Sequence, residues 1–239
     1  MIAWLWPRFV RTNWQRYSLF ILAMGLFTGC SQPRYIEEPE PIAMEMPQFT
    51  RGPVIVIDAG HGGKDLGTNS KSPHYEEKLL TLDTAFLVEH YLQKMGYRTV
   101  LTRTEDIFVP LKKRSSIAND LDAKVFVSVH YNSAPSKQAN GIEVFYYNSE
   151  KERKRANDSR VLAQNVLDEV IGETRAKSRG VKHGNLSVVR EAGMPAILVE
   201  GGFLTNEAER SMILQHTYME RLAWAVANGV HKYLRTSQK

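Results

Sequence analysis

Val54-Ile55-Val56-Ile57-Asp58-Ala59-Gly60-His61-Gly62-Gly63 is the stretch from which the fold can be read. A β-branched run that closes on an aspartate and then on a glycine-rich turn predicts a buried strand ending in a sharp loop. Downstream the period changes to that of a helix: Leu82, Ala85, Val88, Leu92 and Met95 share one face, and Gly96 ends it. The alternation continues, with strands over Tyr97 to Thr102, Val125 to His130, Ile142 to Tyr147 and Ala196 to Glu200. Between and after them, helices are expected over Leu111 to Leu121, Ser149 to Glu173 and Asn206 to Leu234. Strands alternating with helices predict a single three-layer α/β domain, a mostly parallel sheet with helices on both faces.

Working outward, the chain before residue 53 has a different character. The first thirty residues place Arg8, Arg11 and Arg16 ahead of or at the edge of an apolar run from Tyr17 to Phe27, followed by Thr28-Gly29-Cys30. That run is short for a permanent membrane span and reads as an export signal. Cys30, the only cysteine, sits where a lipoprotein signal places its lipidated residue, with Phe27 as a departure from the usual leucine. Ser31 resembles a sorting signal for the outer membrane, so a periplasmic, lipid-anchored protein is expected. Residues 31–52 interleave Pro33, Pro39, Pro41 and Pro47 with Glu37, Glu38, Glu40 and Glu45, the composition of an extended, solvated tether. Residues 53–239 are then the folded domain.

The net charge of +5 invites a nucleic-acid reading. Setting aside Arg8, Arg11 and Arg16 leaves 28 basic against 26 acidic residues, a balance of +2. No basic nucleic-acid face is supported.

The chemistry gathers at strand ends. His61 follows the first strand, His130 ends the strand that contains Ser128-Val129, and Glu200 ends Ile197-Leu198-Val199. In an open parallel sheet these positions meet in the crevice beyond the carboxyl ends of the strands, where ligands bind. Two imidazoles, a carboxylate and an open fourth position form the donor set of a hydrolytic zinc site. If Glu200 is the proton shuttle, the third ligand comes from Glu76 or Glu77 at the start of the first helix, and spacing does not choose between them. Gly60, Gly62 and Gly63 let the backbone turn so that His61 can face a metal, and the loop lacks the Gly-Lys-Ser/Thr ending of a phosphate-binding loop. His74, His90, His216 and His231 read as surface residues. Arg114 and Arg190 are open to pairing with substrate carboxylates or with neighbouring acids.

The run Val56-Ile57-Asp58-Ala59-Gly60-His61-Gly62-Gly63-Lys64-Asp65 resembles the opening signature of the amidase-3 family of N-acetylmuramoyl-L-alanine amidases. The resemblance continues through Glu77-Lys78, Arg103-Thr104, Arg114 with Ala118-Asn119, Ser128-Val129-His130-Tyr131-Asn132 and Pro195 to Asn206. It implies Zn2+ held by His61, Glu77 and His130, since the family's ligand glutamate precedes a lysine, with Glu200 as the catalytic glutamate. It also implies peptidoglycan as substrate, cut at the amide joining N-acetylmuramic acid to L-alanine, in cell-wall remodelling or alongside cell-division proteins. His183 lies in a loop that in the family is near the substrate groove, which makes it, with Arg114, a substrate-binding candidate. Larger members that serve division carry an inserted helix that plugs the site; here the corresponding stretch, Asn148 to Ser159, is short and basic, with Lys151, Arg153, Lys154 and Arg155 read as the solvated start of a helix. An unplugged enzyme is expected. Two other readings stand beside the amidase: a zinc peptidase or carboxypeptidase acting on the stem peptide, and a non-catalytic peptidoglycan-binding lipoprotein.

Overall fold

The computed structural model describes residues 52–236. The expectations for the signal segment, Cys30 and nearly all of the tether fall outside the described residues.

β1 (Val54–Ala59) is the second strand of a six-stranded sheet and is buried along almost its whole length. Side chains alternate across a strand, so Ile55, Ile57 and Ala59 join the larger apolar layer while Val56 joins the smaller one. β1 pairs in parallel with β4 (Arg98–Leu101) on one side and with β5 (Val125–Asn132) on the other. β8 (Ala196–Phe203) continues the parallel run beside β5. Beyond it β6 (Ile142–Tyr146) is antiparallel to β8, and β7 (Ser178–His183) lies parallel to β6 at the edge. The sheet order is β4-β1-β5-β8-β6-β7, mostly parallel as expected.

Helices cover both faces. α1 (Glu77–Lys94), α3 (Arg153–Thr174) and α6 (His216–Thr236) pack into the larger layer, where Leu82, Ala85, Val88 and Leu92 of α1 are buried as their spacing implies. α2 (Leu111–Asp120) and the short α4 (Ser187–Arg190) cover the other face through Ala118, Val188 and Val189. The helix expected over Asn206 to Leu234 is two: α5 (Glu207–Ile213), capped by Asn206 Oδ1 accepting from Glu209 N at 3.1 Å, and α6. Three strands carry no clear apolar pattern and were not expected: the hairpin β2 (Asn69–Lys71) and β3 (His74–Glu76), and β7. β7 reads Ser-Arg-Gly-Val-Lys-His and is an edge strand with both faces partly exposed, so burial imposes no alternation on it.

Only six residues, 147–152, connect β6 to α3. The basic stretch there is less solvated than its composition suggests: Lys154 is exposed beside Asp158, but Arg155 is 8% exposed and held by Glu152 and the Val189 carbonyl. Of the histidines expected at the surface, His74, His90 and His216 are exposed. His231 is half-buried, its Nδ1 2.9 Å from the Tyr97 hydroxyl. No helix among the described residues is long and apolar enough to cross a membrane.

Candidate metal centre and catalytic cleft

Because β1, β5 and β8 are adjacent and parallel, their carboxyl ends bring His61, His130 and Glu200 to one edge, as the sequence pattern implies. His61 sits just past β1 with φ 61°, a conformation uncommon for a residue with a side chain. Its neighbours make room: a Cβ on Gly60 would lie 2.3 Å from the His130 ring, and one on Gly67, which has φ 63°, would lie 2.7 Å from Glu77 Oε2. Glycine at both positions is what lets the two loops close on the imidazoles.

His61 Nε2, His130 Nδ1 and Glu77 Oε1 converge. The distances are 3.0 Å from His61 to Glu77, 3.5 Å from His130 to Glu77 and 3.2 Å between the two ring nitrogens. Three atoms bound tetrahedrally to one zinc at about 2 Å lie roughly 3.3 Å apart, so the cluster has the dimensions of a zinc first shell. The donors fit a cation for a second reason. Two ring nitrogens face each other around one carboxylate oxygen, and a shared cation satisfies all three lone pairs.

Glu77 is the first residue of α1 and is 3% exposed. Its carboxylate is fixed from behind, Oε2 accepting from Thr68 N at 2.8 Å and Oε1 from Tyr131 N at 3.0 Å. Burial alone would raise its pKa, but hydrogen bonds and charge from His130 and His61 hold it far below the usual carboxylate range. Glu76 is turned away, 3.2 Å from Lys78 Nζ, so it is Glu77 that stands with the two imidazoles. Burial lowers the pKa of His61, and the carboxylates of Glu77 and Asp65 outweigh it and raise the pKa. Asp65 Oδ1 stands 3.0 Å from His61 Nδ1 but off the hydrogen-bonding direction, so it acts on the ring through charge.

Glu200 stands in register with His130 on one side and with Glu143 on the other. Its Oε2 is buried and has no protein partner. Burial, with the charges of Glu77 and Glu143, pushes this carboxyl well above the ordinary value. A buried carboxylate oxygen without a partner beside three metal-type donors is a group prepared to act on something the protein does not itself supply. The cleft it lines, of about 490 Å3, also takes in Thr68, Asn132, Ser133 and Leu186. An apolar pocket of about 160 Å3 adjoins it, walled by Leu111, Leu186, Val188 and Leu198 with both imidazoles.

Two substrate candidates are relocated. Arg114 is 1% exposed and lies under the His61 loop, its guanidinium donating to Asp58 Oδ1 at 2.9 Å and to the carbonyls of Ala59 and His61 at 2.6 Å each. It supports the loop and also borders the apolar pocket beside the imidazoles. His183 pairs with Tyr146, which stands opposite Ile197, three residues down β8 from Glu200. Its ring packs on Tyr147 and its Nδ1 accepts from Asn148 N at 3.0 Å, so the residue of that region that reaches the cleft is Leu186. Arg190 is occupied by Glu191 and Asn185. Sequence reasoning gave no role to Arg103, which is 2% exposed and ties the Ala59 and Gly60 carbonyls to Lys78 O at the start of α1. The signal available was an arginine just after a predicted strand, facing a loop rich in carbonyls.

A doubly covered α/β sheet with a His-Glu-His cluster and a buried glutamate at its carboxyl edge describes a class, α/β domains with a candidate metal-binding cleft at the carboxyl ends of the strands. The particular family follows from likeness to known proteins. The Amidase_3 profile, described as N-acetylmuramoyl-L-alanine amidase, matches residues 55–232, and the chain belongs to that family. It is 35% identical to an uncharacterized cell wall amidase of Bacillus anthracis, over 77% of this chain and 36% of that protein. It is 31% identical to N-acetylmuramoyl-L-alanine amidase AmiC of Neisseria meningitidis, over 78% of this chain and 54% of that one. The chain thus spans about a third to a half of the length of these two curated relatives. The catalytic domain of CwlV, an N-acetylmuramoyl-L-alanine amidase from Bacillus (Paenibacillus) polymyxa, superposes with a TM-score of 0.71 at 38% identity, covering 77% of this chain and 98% of that one.

Proposed function

We propose that this protein is a zinc-dependent amidase that hydrolyses the bond between N-acetylmuramic acid and L-alanine in peptidoglycan. The observation that carries the reading is the meeting of three metal-type donors with the unpartnered carboxylate of Glu200, in a chain of this family. His61, Glu77 and His130 would hold the ion, leaving a fourth position open toward the cleft. Bound there, zinc would polarise the amide carbonyl and lower the pKa of a water to about 7.

The chain's own residues supply the rest. Glu200 accepts the proton of the attacking water and returns it to the nitrogen of the leaving alanine, so one carboxyl serves as base and then as acid. Its raised pKa makes the returning step easy, and a cation beside it favours the ionised form needed for the first. The apolar pocket next to the imidazoles suits the methyl groups of lactate and alanine that flank the scissile amide. Thr68 and Tyr131 hold Glu77 in place through their backbone amides, a support of the kind that keeps metal ligands oriented.

Mass spectrometry of muropeptides incubated with the protein tests this. Free stem peptides and bare sugar are expected from the chain alone, without an activator, in keeping with the short β6–α3 connection. A chelator should cut turnover roughly a hundredfold or more, and zinc should restore it. Shortened stems still attached to sugar would replace the amidase by a peptidase, and intact substrate would remove the enzymatic reading.

Export and lipidation at Cys30 belong to the same proposal, with peptidoglycan remodelling in the periplasm, in division or recycling, as the setting. They are supported by the basic front, the apolar run and the single cysteine. Labelled palmitate should enter the wild type and be absent from Cys30→Ser; label in both would end that part.

A further inference from the structure

The row of ionisable side chains that begins at His61 continues past Glu200. Since β6 is antiparallel to β8, Glu143 stands directly opposite Glu200 and on the same face of the sheet. Glu143 is 5% exposed. Its Oε1 accepts from Asn132 Nδ2 at 2.7 Å, and Asn132 lines the cleft. Its Oε2 accepts from Arg179 Nε at 2.7 Å and also from Lys182 Nζ, both on β7. Arg179 lies over the Phe203 ring, 4.9 Å from its centroid. Burial would raise the Glu143 carboxyl, but the hydrogen bonds from Lys182 and Arg179 hold it below the usual value, so it remains charged.

One cation would neutralise that carboxylate. Two converge on a single oxygen of it, and their side chains stay 31% and 37% exposed. The surplus is a positive charge carried on side chains that reach over from β7 to Glu143, the cross-strand neighbour of Glu200. Strands lie about 4.8 Å apart, which puts the charged ends roughly 5 Å across the sheet from the catalytic carboxyl.

We propose that Arg179 and Lys182, held by Glu143, form an anion subsite that takes a carboxylate of the stem peptide on the leaving-amine side of the scissile bond. This rests on the amidase reading of the cleft. An extended chain advances about 3.3–3.6 Å per residue, so roughly 5 Å reaches the residue that follows alanine, the second of the stem. Alanine, linked at both ends, has no free carboxylate, and the acidic residues that follow it do. On the other side of the bond the muramic acid carboxyl is consumed in the amide, so the sugar offers no anion. The pair therefore also sets direction, peptide toward β7 and glycan toward β1.

The test is calorimetric titration of the zinc-loaded protein with a free stem tripeptide, its acidic carboxylates either intact or amidated. The wild type is expected to prefer the intact peptide by about tenfold, the scale of a charge-assisted hydrogen bond. Lys182→Gln should lose most of that preference, and Lys182→Arg should keep it. Equal binding of the two peptides by the wild type, a comparison that needs no variant, would overturn the subsite. So would a Lys182→Gln protein that weakens toward both peptides alike. Hydrolysis of intact muropeptide by the same preparation reports separately on the amidase reading: preference without hydrolysis leaves the anion site and removes the enzyme, while hydrolysis without preference does the reverse.

Discussion

Glu200→Gln is expected to lower turnover of muropeptide by about a thousandfold, within the range that a positioned general acid–base contributes, while bound zinc stays at one ion per chain. Glutamine keeps the shape of the side chain and removes its ability to carry a proton between water and the leaving nitrogen. The three donors of the metal cluster do not include Glu200, so metal content separates a lost proton shuttle from a lost site. A variant with near wild-type turnover, or one that has shed its zinc, would end the assignment. The same substitution has a signature in the chelated protein. Below the ordinary carboxyl pKa, Glu200 is protonated in both the folded and the unfolded chain. As pH rises above that value the unfolded chain ionises first, because the folded pKa is raised, and stability is lost until the folded pKa is passed. Glu77 has the opposite sign. Its folded pKa is depressed, so the stability it contributes is present above the ordinary value and lost as pH falls. Comparing urea midpoints of wild type and Glu200→Gln, both chelated, isolates the first effect: the variant should be the more stable at pH 7 and indistinguishable at pH 4. Zinc should close the gap at pH 7 by supplying the missing counter-charge.

What was legible in the sequence followed from burial. β1, β5 and β8 are central strands with near-continuous apolar runs, and their carboxyl ends carry the three residues that the pattern brought together. The helix face of α1 was legible for the same reason. The hairpin was not, because strands of three residues are too short to show a period even though Tyr75 is buried, and β7 was not, because a strand partly exposed on both faces carries no alternating pattern; β7 is where the two cations stand. Choosing Glu77 over Glu76 needed either resemblance or coordinates, since consecutive residues at a helix start differ in direction by an angle that spacing does not fix. The surroundings of Arg114 and His183 were illegible for a shared reason. An arginine or histidine near a strand end is polar in sequence whether it faces a substrate or a row of backbone carbonyls. The carbonyls under His61 exist only once the loop has closed.

That buried position makes Arg114 the residue whose loss should cost most in folding. Its guanidinium satisfies Asp58 Oδ1 and the carbonyls of Val109, Ala59 and His61, while Asp58 also accepts from the hydroxyls of Thr102 at 2.6 Å and Ser128 at 2.7 Å. Arg114→Met fills much of the volume but leaves a fully buried carboxylate with hydroxyl partners and no counter-charge. Removing one member of a buried pair costs about 3–5 kcal/mol, which urea denaturation in chelator should register. Adding Asp58→Asn removes the orphaned charge and should recover a large part of the loss. Arg114→Lys should sit between: an ammonium can meet Asp58 but cannot span the fork that also holds the His61 carbonyl. That carbonyl connects stability to the metal. His61 is kept at φ 61°, a strained value for a histidine, by contacts that include Arg114. Once freed, its ring no longer waits opposite His130. Zinc affinity of Arg114→Lys, measured by competition with a chromophoric chelator at a temperature where the variant is folded, should therefore fall by about 10–100-fold, the usual cost of losing a group that orients a ligand. A folded Arg114→Lys with wild-type zinc affinity would show that the loop holds His61 without the arginine, and would leave Arg114 as a partner of Asp58 and of the Val109 and Ala59 carbonyls.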